Sequence, residues 1–140
     1  MKAVVIRAYG GPEELKFEDY PDPVPGPGEV LVKVAATSVN PFDWKIRSGA
    51  YKDIIPLTFP AILGVDFSGT VEAVGPDVQT FAAGDRVFAQ ARQTYASLCV
   101  VQAVDLAKIP DHVDIIEIAA LPTVTTTEIG RASCREECRP

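Results

Sequence analysis

The stretch Glu29–Tyr51, EVLVKVAATSVNPFDWKIRSGAY, joins a strand pattern to a helix pattern and decides how the rest of the chain is interpreted. It begins with valines at alternate positions, which is typical of a half-buried β-strand. It continues with Asn40 and Pro41, residue types preferred at the N-cap and at the first position of a helix. We therefore predict one or two helical turns over Pro41–Ser48, held at the end of a strand. The polar residues gathered there raise the question of whether this is a surface loop or the edge of a reaction site.

Short strand patterns separated by turns occupy most of the remaining chain. The segment Pro21–Glu29 carries four prolines and so predicts an extended surface connection, because proline cannot pair within a central strand. Strands are predicted at Met1–Arg7, Leu15–Tyr20 and Phe67–Val74 and within GDRVFA, TYASLCVV and DLAKIP. In the strand Phe67–Val74, Gly69 indicates a bulge or a close backbone approach. The pattern predicts an α+β fold that is mainly β, a partly open β-barrel with short helices.

The second predicted helix lies near the end of the chain. Asp114 followed by Glu117 resembles a capping box ahead of the apolar run IIEIAAL. Pro122 is expected to stop this helix. The threonines that follow, including Thr123, Thr125 and Thr126, are compatible with a strand or a turn.

Composition excludes several classes of function. A net charge of −6 and a pI near 4.7 argue against a nucleic-acid surface, which needs a basic stripe. No apolar run approaches the roughly 20 residues of a membrane span, and we expect no membrane partner. Three cysteines do not make a disulfide framework. Cys99 is expected to be a buried apolar residue, while Cys134 and Cys138 give only a weak metal pattern. We expect a reducing, cytoplasmic setting.

The ordered motifs resemble those of a known family. They are GPEELKFEDYPDPVPGPGEVLVKVAATSVNPFDWKIRSGAY, PAILGVDFSGTVEAVGPDV, FAAGDRVFA and IEIAALPTVTTT. Together they are similar to the N-terminal half of medium-chain dehydrogenases/reductases, and most closely to the quinone oxidoreductase (zeta-crystallin-like) branch. The resemblance covers residues 1–127 and implies a GroES-like domain, with residues 122–127 beginning the crossover to a Rossmann cofactor domain. It implies hydride transfer from NADPH to a quinone or an activated α,β-unsaturated carbonyl compound.

The resemblance also bears on zinc. In the zinc alcohol dehydrogenases of this superfamily, the position of Asn40 is a cysteine ligand and the positions of Val65 and Asp66 are typically a His-Glu pair. Val65 cannot bind a metal, and catalytic zinc needs three nitrogen, sulfur or oxygen side chains. The segment AQARQTYA also lacks the four cysteines of a structural zinc lobe. We expect no metal site.

Site residues follow from the resemblance by position. It implies that Asn40 and Asp43 shape the pocket where nicotinamide meets substrate, with Asn40 also near the cofactor. It implies that Tyr51 lies near the substrate, as a candidate proton donor, and that Thr127 offers a hydroxyl to the nicotinamide. Structural interpretations remain open: Asn40 as a helix cap and Asp43 as a partner of the helix dipole.

Three further side chains have mainly structural interpretations. Arg47 is spaced to pair with Asp43 at i, i+4, or to serve as a solvated partner. Trp44 is expected to pack or to form a pocket wall, and His112 to lie on the surface.

The chain shows no dinucleotide-binding motif. The segment GPGEVL has a G-x-G pattern but precedes a strand and lacks the third glycine, so it does not match the fingerprint. The resemblance would start a cofactor domain after residue 127, and the residues there are EIGRASCREECRP, 128–140, with six charges in thirteen positions. Their start resembles a translated sequencing adapter, so we expect a non-native, disordered or weakly helical tail; a divergent natural tail is the alternative.

The expected function is therefore that of the N-terminal catalytic-domain part of a zinc-independent oxidoreductase. We expect this part alone to be inactive and the complete protein to form a homodimer. Two alternatives remain: a fragment of an enoyl reductase or of a zinc-type alcohol dehydrogenase relative, and a non-enzymatic GroES-like binding module.

Overall fold

A computed structural model describes residues 1–128 of the protein. Apart from Glu128, the predicted tail 128–140 lies outside the described residues. The strands are β1 (Lys2–Ile6), β2 (Lys16–Asp19), β3 (Glu29–Thr37), β4 (Ala61–Ile62), β5 (Asp66–Val74), β6 (Arg86–Gln90), β7 (Leu98–Gln102) and β8 (Ala107–Lys108). The helices are α1 (Pro41–Arg47) and α2 (residues 122–128), with single 3-10 turns at Pro12–Glu14, Ala103–Asp105 and Glu117–Ala120.

The strands form two antiparallel sheets. One has the order β2-β1-β4 and the other the order β7-β3-β5-β6-β8. Strand β1 also contacts the segment just before β7, where the Val4 amide donates to the Tyr95 carbonyl at 2.8 Å and the Ser97 amide donates to the Lys2 carbonyl at 2.8 Å. The sheets therefore meet along one side without closing. The predicted α+β, mainly β, partly open barrel is confirmed over residues 1–128.

The main hydrophobic core lies on one face of the larger sheet. Strands β3, β6 and β7 alternate more and less buried positions, as the period-2 pattern requires, whereas the first four residues of β5 (66–69) are all buried. The core residues are Val30, Val32, Phe67, Val71, Val87, Ala89, Cys99 and Val101. Burial raises the pKa of the Cys99 thiol to about 12, so this cysteine acts as a small apolar side chain, as predicted.

The end of the described chain differs from the prediction. Asp114 Oδ1 accepts hydrogen bonds from the amides of Ile116 and Glu117 just ahead of the turn Glu117–Ala120, although the N-cap residue of that turn, Ile116, makes no side-chain cap. That turn ends before Pro122, but Pro122 then begins α2. The expectation of a strand or turn at Thr123–Thr126 is therefore wrong. Proline lacks an N–H and has a fixed φ, so it suits the first turn of a helix.

Gly69 permits a close approach between β3 and β5. The pairing of these strands shifts register between Val34 and Ala36, opposite Gly69 and Ser68. A Cβ at Gly69 would overlap the backbone carbonyl of Lys33. The close approach indicated by the sequence is confirmed. No helix in the described part of the chain is long and apolar enough to cross a membrane.

We predict that Gly69→Ala lowers the free energy of unfolding by about 2 kcal/mol or more, because a backbone carbonyl cannot move aside without opening the sheet. The measurement is urea denaturation followed by tryptophan fluorescence. The matched control is Gly26→Ala, where the added methyl group would meet the end of the Glu29 side chain at 3.2 Å and no backbone atom within 4 Å. Equal stability losses in the two variants would contradict the prediction.

Candidate active site

A fully buried carboxylate, that of Asp66 at the start of β5, organises the site. Its Oδ2 accepts hydrogen bonds from Ser38 Oγ at 2.8 Å and Asn40 Nδ2 at 3.0 Å. Its Oδ1 accepts from the Thr123 amide at 3.0 Å and Thr123 Oγ1 at 2.7 Å. These four residues are called the Asp66 cluster. Because a buried carboxylate is stable only when hydrogen bonds replace its water, the cluster ties together the segment after β3, the start of α1 and the start of α2.

Two threonines extend the cluster beneath the neighbouring loop. Thr37 Oγ1 donates to the backbone carbonyl of Asp66 at 2.6 Å, and it lies 3.0 Å from Thr94 Oγ1. Thr94 is fully buried although it belongs to a connection between strands. This contact anchors the loop 91–95 against the start of β5.

A second buried carboxylate lies on the other side of Asn40. Asp43, in the first turn of α1, is 5% exposed, and its Oδ2 accepts from the Asn40 amide at 2.7 Å and from the Tyr95 hydroxyl at 2.9 Å. Burial and the contact with Asp43 raise the pKa of Tyr95 above its ordinary value, so the hydroxyl stays protonated and donates. Asn40 thus bridges two carboxylates, with its backbone amide on Asp43 and its side-chain amide on Asp66.

A pocket of about 260 Å³ opens beside α1 and is called the acceptor pocket. Its walls are mainly apolar, and Asp43 and Arg92 are the charged residues among those that line it. A larger cleft of about 460 Å³ shares Phe42, Val65 and Arg92 with this pocket and adds polar residues such as Gln90. The apolar residues of the acceptor pocket include Phe42, Ile46, Ile55, Leu57, Leu63 and Val65.

The predicted site residues are distributed unequally. Asn40 and Asp43 are brought together at the start of α1. Tyr51 packs in an apolar cluster with Ile46, its ring centroid 6.0 Å from that of Phe42, which lines the acceptor pocket. None of the hydrogen bonds between described residues uses the Tyr51 hydroxyl. Thr127 is exposed one turn after Thr123 on α2, and its hydroxyl donates to the Thr123 carbonyl at 2.7 Å.

The neighbouring residues adopt structural or surface positions. Arg47 Nε donates to the Gly10 carbonyl at 3.3 Å, and within residues 1–128 no ion pair joins Arg47 to Asp43. Trp44 is half exposed, with the Lys45 ammonium 5.8 Å from its ring centroid. His112 is on the surface, as expected.

Asp66, Tyr95 and Arg92 were not among the candidate residues from the sequence. The signal for Asp66 was present, because an acidic residue lies within the apolar run AILGVDF at the start of a strand. Such a residue must find donors when the strand is buried. Tyr95 and Arg92 have no comparable local signal, since their positions depend on how the loop 91–95 folds over the segment 63–65.

The family follows from comparison with known proteins. The model of the alcohol dehydrogenase GroES-like domain matches residues 26–111. The chain belongs to the medium-chain dehydrogenase/reductase superfamily, in its quinone oxidoreductase branch. It is 38% identical to the human quinone oxidoreductase over 126 residues, which are 86% of this chain and 37% of that protein. It is 37% identical to a chloroplast envelope quinone oxidoreductase homologue of Arabidopsis thaliana, covering 92% of this chain and 41% of that protein.

Solved structures of this branch have the same fold. The Escherichia coli quinone oxidoreductase complexed with NADPH aligns with a TM-score of 0.80 and 31% identity, over 86% of this chain and 37% of that one. The chain therefore spans about two fifths of the length of these relatives and corresponds to their GroES-like domain.

We predict that Asp66→Asn lowers the free energy of unfolding by about 2–3 kcal/mol, because it removes a buried charge that four donors address and adds a donor facing them. Urea denaturation gives the energy, and hydrogen exchange at the Thr123 amide reports the local contact. The control is Asp77→Asn, at an exposed aspartate in a turn. The backbone of Asp77 is left-handed, a conformation that asparagine also tolerates. A loss no larger than that of the control, with Thr123 still protected, would contradict the prediction.

Proposed function

We propose that this domain is the acceptor-binding part of a zinc-independent, NADPH-dependent oxidoreductase that reduces quinones or activated α,β-unsaturated carbonyl compounds. The observation that supports the proposal most is Asn40, which is held between two buried carboxylates and immediately precedes the part of α1 whose residues Phe42 and Asp43 line an apolar pocket. A residue fixed in this way keeps one orientation while substrate and cofactor exchange beside it. Fixed polar groups of this kind stabilise developing charge without reorganising.

The described residues suit only one end of a dinucleotide. They include no glycine-rich strand-to-helix turn for a pyrophosphate. Asn40 and Thr123 both bind the Asp66 carboxylate, and Thr127 follows Thr123 by one turn of α2. These amide and hydroxyl groups are in keeping with the amide and ribose groups at the nicotinamide end. When bound, NADPH supplies the hydride. We propose that Asn40 and Thr127 orient its nicotinamide.

The zinc-free part of the proposal rests on the chemistry of the residues at the family's metal positions. Val65 has no donor atom. Asp66 already accepts four hydrogen bonds through its two carboxylate oxygens, and Asn40 uses its amide nitrogen to hold that carboxylate. Within residues 1–128 no three His, Cys, Asp or Glu side chains gather as a ligand set. This donor set does not fit catalytic zinc, which needs three free ligands.

The chain's own residues then have separate roles in the proposed reaction. Phe42, Ile46 and Leu63 exclude water and hold the apolar part of the acceptor. Asn40 and Asp43 fix the polar side of the pocket. After hydride transfer the reduced acceptor needs one proton, which Tyr51 or solvent delivers. We also propose that the complete protein dimerises and works in the reducing cytoplasm, although some relatives are chloroplastic.

We predict that the complete reading frame, joined to its cofactor domain, oxidises NADPH with a quinone or an enone and keeps its rate after treatment with a metal chelator. The measurement is the loss of NADPH absorbance under steady-state conditions. Asn40→Ala should lower kcat/KM at least about tenfold if one fixed polar contact is lost in the transition state. Gln79→Ala, which removes an exposed loop amide, should leave the rate unchanged.

The 140-residue chain alone should bind NADPH negligibly, as followed by nicotinamide fluorescence. Micromolar binding to this chain, or alcohol oxidation that depends on stoichiometric zinc in the complete protein, would overturn the proposal.

A further inference from the structure

The loop 91–95 holds Arg92 at a fixed place beside the acceptor pocket. Its two sides pair with the segment 63–65: the Ala91 amide donates to the Val65 carbonyl at 2.7 Å, and the Tyr95 amide donates to the Leu63 carbonyl at 3.0 Å. Gln93 has φ 63°, a left-handed conformation that a side chain normally avoids. The hydrogen bonds on both sides of the loop hold Gln93 in this conformation. The backbone on both sides of Arg92 is therefore held by hydrogen bonds to the segment 63–65.

Arg92 differs from the other described arginines in having no partner for its guanidinium among residues 1–128. Arg7 pairs with Glu18, Arg47 donates to a backbone carbonyl, and Arg86 donates to the carbonyls of Asp111 and Val113. None of the hydrogen bonds, ion pairs or ring contacts within residues 1–128 uses the Arg92 guanidinium. Arg92 is exposed and lines both the acceptor pocket and the adjoining cleft. Asp105 also lines that cleft, but no ion pair joins it to Arg92 among the described residues.

The other charged residue of the pocket does not neutralise Arg92. Asp43 is buried, and its Oδ2 is occupied by the Asn40 amide and the Tyr95 hydroxyl. No ion pair joins Asp43 to Arg92 among the described residues. The pocket therefore combines apolar walls with one guanidinium whose donors are free. A planar guanidinium presents paired N–H groups that match a carboxylate in a bidentate arrangement.

We propose that Arg92 determines substrate specificity by binding an acidic group on the acceptor. The acceptor class is then a compact conjugated carbonyl compound that carries a carboxylate. Its apolar part lies against Phe42, Ile46 and Leu63, and its carboxylate lies on Arg92. The volume of about 260 Å³ is below the roughly 300–1,000 Å³ of most ligand pockets, which favours a single ring or a short chain. This inference rests on the proposed function in one respect, because that function makes the bound compound the acceptor of the hydride. The binding of an anion to Arg92 does not itself require a cofactor.

The test is a titration of the 140-residue chain with benzoate, followed by ¹H–¹⁵N correlation spectra. Benzoate pairs one ring with one carboxylate and undergoes no redox reaction here. We expect shifts at the amides of residues 57–65 and 91–93 and at the Arg92 Nε–H. Arg92→Gln should weaken benzoate binding about fivefold, the upper range for a solvent-exposed ion pair. Arg92→Lys keeps the positive charge but loses the paired N–H donors of the guanidinium. Its affinity for benzoate should lie between those of Arg92→Gln and the unaltered chain.

Two controls separate charge from packing. Lys33→Gln removes an exposed positive charge on β3, outside the residues that line the pocket, and should leave benzoate binding unchanged. Benzyl alcohol has the same ring without the charge and should bind Arg92→Gln and the unaltered chain equally. The apo spectra of the variants must superimpose away from the loop, which excludes misfolding as the cause.

Several results would overturn the inference. One is the absence of amide shifts with benzoate, and another is equal affinity for benzoate and benzyl alcohol. A third is that Arg92→Gln and Lys33→Gln weaken benzoate binding equally. A failure of this inference can be distinguished from a failure of the proposed function. If benzoate binds through Arg92 but the complete protein reduces no quinone or enone, only the proposed function fails. If the complete protein reduces them but benzoate binding is absent, only this inference fails.

Discussion

The burial of the Asp66 carboxylate is the constraint on which the rest of the site depends. A carboxylate without water is costly unless donors replace the solvent, and here four hydrogen bonds from three residues do so. The donors lie after β3, at the start of α1 and at the start of α2. Satisfying one charge at the start of β5 therefore fixes where two helices begin. Of the two helices, α1 also carries residues of the acceptor pocket.

Asn40 transmits this constraint to the pocket. Its side chain is committed to Asp66 and its backbone amide to Asp43, and Asp43 is in turn held by a tyrosine hydroxyl that burial keeps protonated. The pocket wall formed by Phe42 and Ile46 belongs to the same short helix, so its position follows from the same contacts. The polar scaffold thus lies beneath an apolar surface, and Arg92 is the charged group that remains available to a ligand. Rigid support of this kind suits a site that aligns two reactants.

Much of the fold was accessible from the sequence because its signals are local. Alternating valines predicted β3, Asn40-Pro41 predicted the start of α1, and Gly69 predicted a close approach of strands, since each depends on neighbouring residues only. The Asp66 cluster was not accessible in the same way. Its donors come from positions 26, 28 and 57 residues away, and no local pattern reports such distances. Pro122 was expected to stop a helix but begins one, because a proline suits a helix end and a helix start equally well and no local signal distinguishes the two.

The most direct test of the account is a double-mutant cycle between Asn40→Ala and Thr123→Ala, measured by urea denaturation of the two single variants, the double variant and the unaltered chain. Asn40 and Thr123 lie on different elements and bind different oxygens of one carboxylate. If that carboxylate joins them, removal of one donor leaves the charge less compensated, and the coupling energy should reach at least about 0.5 kcal/mol. Additive effects, within about 0.3 kcal/mol, would show that Asp66 does not unite the two helices and would contradict the account.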